Sequence, residues 1–133
     1  MNQQSVFGEV IYGYSRAQAI DDGVLVDVSD MAREAGFVSP VAVTAAAWGD
    51  CVAWSDVDTK QQCHQDEAGR LWDVLWMAKQ AARRAQGDRL AFQIYRVPCG
   101  GRGAAPRLVT LLLTIGAGDE GEAVITVMMP DED

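Results

Sequence analysis

The single histidine, His64, limits the catalytic and metal chemistry that this sequence can support. It stands in the run Cys63-His64-Gln65-Asp66-Glu67, which offers thiol, imidazole and carboxylate groups. Adjacent side chains point in different directions in most backbones, and no second Cys or His stands at zinc-site spacing. We therefore expect no metal ion and no cofactor, and we interpret the run as a polar loop that leads into a helix with acids in its first turn.

Cys99 is the second residue with potential chemistry, because the glycine-rich run 100–103 follows it directly. A thiol nucleophile requires a base, and His64 is the only histidine that could serve as one. The sequence does not place the two side chains within reach of each other, so we assign no catalytic residue. A small modifying enzyme with a Cys99 and His64 loop site is the alternative to a protein without catalytic activity.

The glycine-rich run is also a candidate anion-binding loop. Its free backbone N–H groups and its arginines could bind an oxyanion. It lacks the GK[ST] ending of a phosphate loop and connects two predicted strands, which disfavours nucleotide binding. The predicted anion-binding residues are Gly100, Gly101, Arg102 and Arg107.

Charge is distributed unevenly along the chain, whose formal net charge is −8. Residues 1–59 hold nine acids and two arginines, residues 60–107 hold nine bases and four acids, and residues 108–133 hold six acids and no base. An acidic surface attracts basic protein surfaces and repels nucleic acid, although excess acid also serves solubility. We expect a protein with a basic surface as the partner, expect no direct nucleic-acid binding, and leave a homodimer open. The acids predicted to bind this partner are Asp21, Asp22, Asp27, Asp30, Glu34, Asp56 and Asp58.

The length of 133 residues and a hydrophobic fraction of 49% indicate one globular domain, 1–133, with a packed core. Three cysteines without a CxxC pair favour reduced thiols over disulfides or a zinc knuckle. No apolar run approaches the roughly 18 residues of a membrane span, and residues 1–7 are too polar for a secretory signal. We therefore expect a cytoplasmic protein without membrane contact.

A long helix is the strongest element that hydrophobic periodicity predicts. It is expected over 66–86, with Leu71, Val74, Leu75 and Ala78 on its core face. The helix should pack on a sheet, because its apolar arc is too wide for a helix with one buried stripe.

Three strands follow the helix, at 90–97, 108–115 and 123–129. Their glycine-rich connections suit an antiparallel meander. The second strand is apolar on both faces, which indicates a central position. The predicted fold class is therefore α+β, with a C-terminal three-stranded antiparallel sheet backed by the long helix.

Shorter strands and helices are predicted before the long helix. Ser15 and Gln18 form a capping box at the start of one helix, and Ser29 is the expected N-cap of the next. The polar segment 55–66 has no apolar period and is predicted to be a loop. The predicted strands in this part of the chain are 6–12, 24–28 and 41–44.

Three long segments carry a resemblance to a known family: FGEVIYGYSRAQAIDDGVLVDVSDMAREAGF at 7–37, HQDEAGRLWDVLWMAKQAARRA at 64–85, and GGRGAAPRLVTLLLTIGAGDEGEAVITVMMP at 100–130. Over nearly the whole chain, they resemble an uncharacterised domain-of-unknown-function family of small acidic proteins. That family is encoded largely on plasmids and integrative mobile elements of Proteobacteria. The resemblance implies a genomic setting but no site residues. Small proteins of mobile elements are often accessory or anti-defence factors, including inhibitors of CRISPR systems. The resemblance therefore implies that the partner with a basic surface is a host or defence-system protein.

The N-terminal order of strand, Gly13, short helix, Gly23 and strand is also similar to the beginning of ADP-ribosyltransferase folds. The nicotinamide-binding histidine expected there is absent, and Tyr12 and Tyr14 stand nearby. A degenerate fold of this kind is a further alternative. Our preferred interpretation is a non-enzymatic protein-binding accessory factor that acts by occlusion through its acidic surface.

Overall fold

The structure, a computed structural model, describes residues 14–132. The strand predicted at 6–12 lies outside the described residues. The described strands form one five-stranded sheet in the order β1-β2-β5-β4-β3. These strands are β1 (Leu25–Asp27), β2 (Val41–Thr44), β3 (Arg89–Arg96), β4 (Arg107–Ala117) and β5 (Ala123–Met128).

The predicted C-terminal meander is present as β3, β4 and β5, but it belongs to a larger sheet than the sequence predicts. Strand β2 pairs in parallel with β5, with Val41 opposite Ile125 and Val43 opposite Val127, and β1 pairs antiparallel with β2. Because β2 is buried along its whole length, its backbone needs hydrogen-bond partners on both edges. The three-stranded description is therefore corrected to a mixed five-stranded sheet. Strand β4 lies between β5 and β3, so it is central within the predicted meander, whereas β5 is the central strand of the whole sheet.

The helices lie on both faces of this sheet. The fold is α+β, because the strand pairs are antiparallel except for β2 with β5. Within residues 14–132, no helix has the length and apolar character needed to cross a lipid bilayer. The helices are α1 (Arg16–Asp21), α2 (Ser29–Ala35), α3 (Ala45–Cys51), α4 (Asp56–Gln61) and α5 (Glu67–Ala82).

Helix α5 is the long helix that the periodicity predicts, although it ends four residues before position 86. It begins after Asp66, whose carboxylate accepts a hydrogen bond from the backbone N–H of Gly69 at 2.7 Å. Leu75 is fully buried, in one core with Leu111 and Leu113 of β4. The predicted core face of the helix is therefore confirmed.

The opposite face of the sheet carries α1. Ala19 of this helix packs with Leu25 and Ala42 in a second, smaller core. Asp119, in the turn between β4 and β5, accepts a hydrogen bond of 2.7 Å from the backbone N–H of Arg16. The β4–β5 turn thus fixes the start of α1.

The two predicted N-terminal caps have different outcomes. The capping box of Ser15 and Gln18 is confirmed. Ser29 is the first residue of α2, whose N-cap position is held by Val28, so the predicted cap is wrong. The Ser29 hydroxyl instead accepts a hydrogen bond of 3.0 Å from the backbone N–H of Val41. This hydroxyl therefore ties the start of α2 to β2.

The loop predicted at 55–66 is wrong in part, because it contains α4. The Ser55 hydroxyl accepts a hydrogen bond from the backbone N–H of Asp58, and the Asp58 carboxylate accepts one from the backbone N–H of Ser55. Val57 is 58% exposed, so the helix has no apolar stripe that a periodicity analysis could detect.

Replacing Leu75 with alanine tests the assignment of the core face. Leu75 is 0% exposed, so the cavity left by the substitution should lower the free energy of unfolding by about 2–5 kcal/mol. Met77, on the same helix, is 42% exposed, and Met77→Ala should cost less than about 1 kcal/mol. Chemical denaturation of the two variants measures both values, and equal midpoints would contradict the assignment.

Candidate functional site

Arg70, near the start of α5, brings together segments of the chain that are distant in sequence. Its Nε donates to the carbonyl of Val52 at 3.0 Å, and its Nη1 donates to the carbonyl of Val97 at 2.9 Å. Nη1 also donates to Oε1 of Gln65 at 2.6 Å, and the guanidinium lies 4.6 Å from the centre of the Trp54 ring. The side chain therefore joins the end of α3, the start of α5 and the chain leaving β3.

The remaining nitrogen of this guanidinium, Nη2, is buried and has no hydrogen-bond acceptor. Arg70 is only 5% exposed, and no carboxylate of the described residues forms an ion pair with it. Burial lowers the pKa of Arg70, but an arginine stays charged in a protein. An unsatisfied buried donor costs about 1–3 kcal/mol of stability, so the unpaired Nη2 of Arg70 needs an explanation.

A cavity of about 200 Å³ lies beside Arg70. One side of it is formed by the end of β3 and by Pro106, and the other by the start of α5. Its wall mixes polar and apolar groups. The polar and charged residues that line it are Gln65, Arg70, Asp73, Tyr95 and Arg96.

The second arginine of the cavity, Arg96, is neutralised within the protein. Its Nη2 donates to both carboxylate oxygens of Asp50, at 3.2 and 3.0 Å, and its Nε donates to the Asp50 carbonyl at 3.2 Å. Cys51, next to this pair, also lines the cavity, and burial together with the Asp50 charge raises its pKa to about 12. A thiol with this pKa carries almost no thiolate at neutral pH and is a poor nucleophile.

The predicted anion-binding loop is held by internal acceptors. The backbone N–H of Gly100 donates to the Asp58 carboxylate at 2.8 Å, and that of Gly101 donates to the Gln62 side chain at 3.3 Å. Two of the N–H groups expected to face an anion are therefore already used, while Arg102 and Arg107 are exposed. This arrangement argues against the loop as an anion site.

Asp58 differs from the other acids that were predicted to bind a partner. It is 8% exposed, and its carboxylate accepts hydrogen bonds from the backbone N–H groups of Ser55 and Gly100. Both bonds lower the pKa of Asp58. This carboxylate connects α4 to the glycine-rich loop and is not presented to a partner.

The structure does not join Cys99 and His64 in a catalytic pair. The Cys99 thiol lies 3.5 Å from the carbonyl of Gly49, to which it donates, and His64 is exposed. In the described part of the chain, no hydrogen bond links the two side chains, and no group of three His, Cys, Asp or Glu residues could hold a metal ion.

Five of the predicted partner-binding acids lie in the segment 21–34, which runs from the end of α1 through the edge strand β1 into α2. We call this set the β1-edge acids. All five are exposed, and the sixth exposed acid of the prediction, Asp56, lies on α4. Asp27 accepts a hydrogen bond from the Ser29 hydroxyl, and Asp30 pairs with Arg33. The β1-edge acids are Asp21, Asp22, Asp27, Asp30 and Glu34.

Sequence reasoning missed Arg70 as a site residue and treated it as part of a basic stretch. The signal was nevertheless present, because position 70 stands four residues before Val74 and eight before Ala78 on the apolar stripe of α5. A charged residue on a core stripe indicates a buried side chain with specific partners.

The chain belongs to a family whose model matches residues 1–133 and which is described as a family of unknown function (DUF6573). Neither a curated protein nor a solved structure matches the chain. Membership in this family therefore brings no catalytic or binding residue to the description of the site.

Replacing Asp58 with asparagine tests the link between α4 and the glycine-rich loop. The folded-state pKa of Asp58 is lowered, so its ionised form stabilises the fold above the unfolded-state pKa of about 3.9. This contribution is lost as the pH falls through the folded-state pKa. Asp58→Asn should therefore lower the free energy of unfolding at pH 7, and the difference from the wild type should shrink below about pH 4.

Asp56→Asn is the matched control, because Asp56 is exposed on the same helix and has no hydrogen-bond or ion-pair partner in the described part of the chain. Denaturation of both variants across the pH range is the measurement. A pH-independent effect of Asp58→Asn, or equal effects of the two substitutions, would show that the Asp58 carboxylate does not hold the loop.

Proposed function

We propose that this protein is a non-enzymatic binding factor that docks through the β1-edge acids onto the basic surface of another protein. The observation that carries this proposal is the exposure of all five acids in the segment that contains the edge strand β1. Asp21 and Glu34 have no hydrogen-bond or ion-pair partner among residues 14–132. Their charges can pair with lysines or arginines of a partner without breaking internal contacts.

The state of the described thiols favours binding over catalysis. Cys51 is buried with a pKa of about 12, and Cys99 donates to a backbone carbonyl with no histidine beside it. A cysteine nucleophile requires an adjacent base or a lowered pKa. These observations support the binding class over the enzyme that uses Cys99 and His64.

The biological setting in this proposal comes from the family resemblance of the sequence. We place the protein among accessory factors of plasmids and other mobile elements of Proteobacteria. Its concrete role would be to inhibit a host defence system, of the CRISPR type, by occluding a basic surface. Nucleases and other nucleic-acid-binding proteins carry such surfaces, because they contact phosphates with Lys and Arg.

A double charge reversal, Asp21→Lys with Glu34→Lys, tests the docking surface. Electrostatic steering by exposed acids acts mainly on association, so partner capture should become about tenfold slower and should weaken further at high salt. The measurement is quantitative affinity capture from lysate of a host with an active CRISPR system, followed by association kinetics with the captured protein.

The control is Asp73→Lys with Asp88→Lys, which gives the same change in net charge on the side of the molecule near β3. Both of these acids are exposed. Capture that survives in the Asp21 and Glu34 variant, or that is lost equally in both double variants, would overturn the β1 edge as the docking surface. The wild-type protein and the Asp73 and Asp88 variant should restore plasmid transformation of the CRISPR-active host, whereas the Asp21 and Glu34 variant should not. This result would support the anti-defence role.

A further inference from the structure

We propose that the outer edge of strand β3 pairs antiparallel with β3 of a second copy of this chain, so that two sheets join into one. This contact is separate from the β1-edge acids and does not depend on the proposed function. Its basis is an edge strand without protection against pairing, whose sequence is complementary to itself in one register.

The two edges of the sheet differ in how well they resist a further strand. Within residues 14–132, the edge strands are β1 and β3. Strand β1 has only three residues and ends at the charged Asp27, and a short, charged edge resists pairing. Strand β3 has eight residues, follows β4 without a bulge, and has no proline and no charged residue over 90–95. The edge of β3 is therefore the one suited to accept another strand.

The register of β3 on β4 determines which backbone groups face the outer edge. The backbone N–H of Ile115 donates to the carbonyl of Asp88 at 2.8 Å, and these two residues continue the β3–β4 register. Because opposite residues of an antiparallel pair alternate between bonded and non-bonded, the even-numbered residues of β3 bond to β4. The N–H and C=O groups of the odd-numbered residues point to the outer edge, and those inside the strand are Ala91, Gln93 and Tyr95.

Antiparallel pairing centred on Phe92 matches the strand with itself. The odd-numbered residues of the two copies then lie opposite each other, so their outward N–H and C=O groups bond across the new pair. On the face that α5 covers, Phe92 lies opposite Phe92 of the second copy, and Leu90 lies opposite Ile94. On the other face, Ala91 lies opposite Gln93. Aromatic and aliphatic cross-strand pairs of this kind stabilise a sheet.

The same register keeps like charges apart. Strand β3 begins at Arg89 and ends at Arg96, and antiparallel pairing separates each arginine from its own copy by most of the length of the strand. Parallel pairing would set each arginine beside its copy, and like charges directly opposite each other are destabilising. The charges at the strand ends therefore favour a closed two-fold dimer.

Exposed apolar side chains border the β3 edge. Tyr95 is 68% exposed, and Leu108, which lies opposite it on β4, is 49% exposed. A second strand beside β3 removes part of this surface from water, which adds a hydrophobic contribution to the backbone hydrogen bonds of the pair.

Amide hydrogen exchange of the full chain at several protein concentrations tests the pairing directly. The N–H groups of Phe92 and Ile94 bond to β4 and should be protected at every concentration. Those of Ala91, Gln93 and Tyr95 should exchange more slowly as the concentration rises and the dimer forms. Fast exchange of these three groups at every concentration would overturn the proposal. Their protection in a monomeric sample would also overturn it, because a segment of the same chain would then cover the edge.

Two double variants test the register. Ala91→Lys with Gln93→Lys sets lysines opposite lysines across the new pair and should raise the dissociation constant of the dimer about tenfold. Ala91→Lys with Gln93→Glu sets lysine opposite glutamate and should keep the dissociation constant within about threefold of the wild type. Both positions are exposed, so both variants should fold. Sedimentation equilibrium measures the association, against the 14.4 kDa of one chain.

Val38→Lys with Ala46→Lys is the control, because it adds the same charge as the double lysine variant at exposed positions outside β3 and should leave the dissociation constant unchanged. A wild-type chain that stays monomeric at about 1 mM would overturn the proposal. Equal weakening of the dimer by the two β3 variants would contradict the register. A dimer weakened only by Asp21→Lys with Glu34→Lys would show that the β1-edge acids, and not β3, hold the two copies together.

Discussion

One end of the structure depends on the hydrogen bonds that the buried guanidinium of Arg70 donates. It gives hydrogen bonds to the carbonyls of Val52 and Val97, which lie where the chain leaves α3 and β3. Buried carbonyls outside helices and sheets need such donors, and the loss of a donor to two of them is costly. The contacts of Asp58 with Gly100 and of Gln62 with Gly101 extend this brace to α4 and the glycine-rich loop.

The β1-edge acids and the Arg70 cavity lie toward opposite edges of the sheet. The β1-edge acids border β1, whereas the Arg70 cavity is lined by Tyr95 and Arg96 at the end of β3. The uneven charge of the sequence agrees with this separation. The acidic segment 1–59 contains the β1-edge acids, and the basic segment 60–107 contains Arg70 and Arg96.

The parts of the fold that sequence analysis predicts correctly are those that local contacts determine. The core face of α5 follows from its period, and the capping box of Ser15 and Gln18 follows from two side chains within one turn. The parallel pairing of Val41 with Ile125 joins residues far apart in sequence, and no local pattern encodes it. Helix α4 escapes a periodicity analysis because Val57 is exposed, although the capping box of Ser55 and Asp58 is a local signal of its start.

The candidate site shows the same limit, because sequence alone identifies residue types but not their partners. The sequence marks Gly100 as a candidate anion-binding residue and Cys99 as a candidate nucleophile. In the structure, the Gly100 backbone N–H donates to the Asp58 carboxylate, and the Cys99 thiol donates to the Gly49 carbonyl. Arg70 gains its role only when the sheet closes beneath α5 and removes its guanidinium from water.

The most direct test of the role of Arg70 is nitrogen-15 NMR of its guanidinium in the full chain. If its donors are held as described, the Nε–H should exchange slowly with water and the Nη1 and Nη2 signals should be separate. A single averaged Nη signal with fast exchange would contradict the brace.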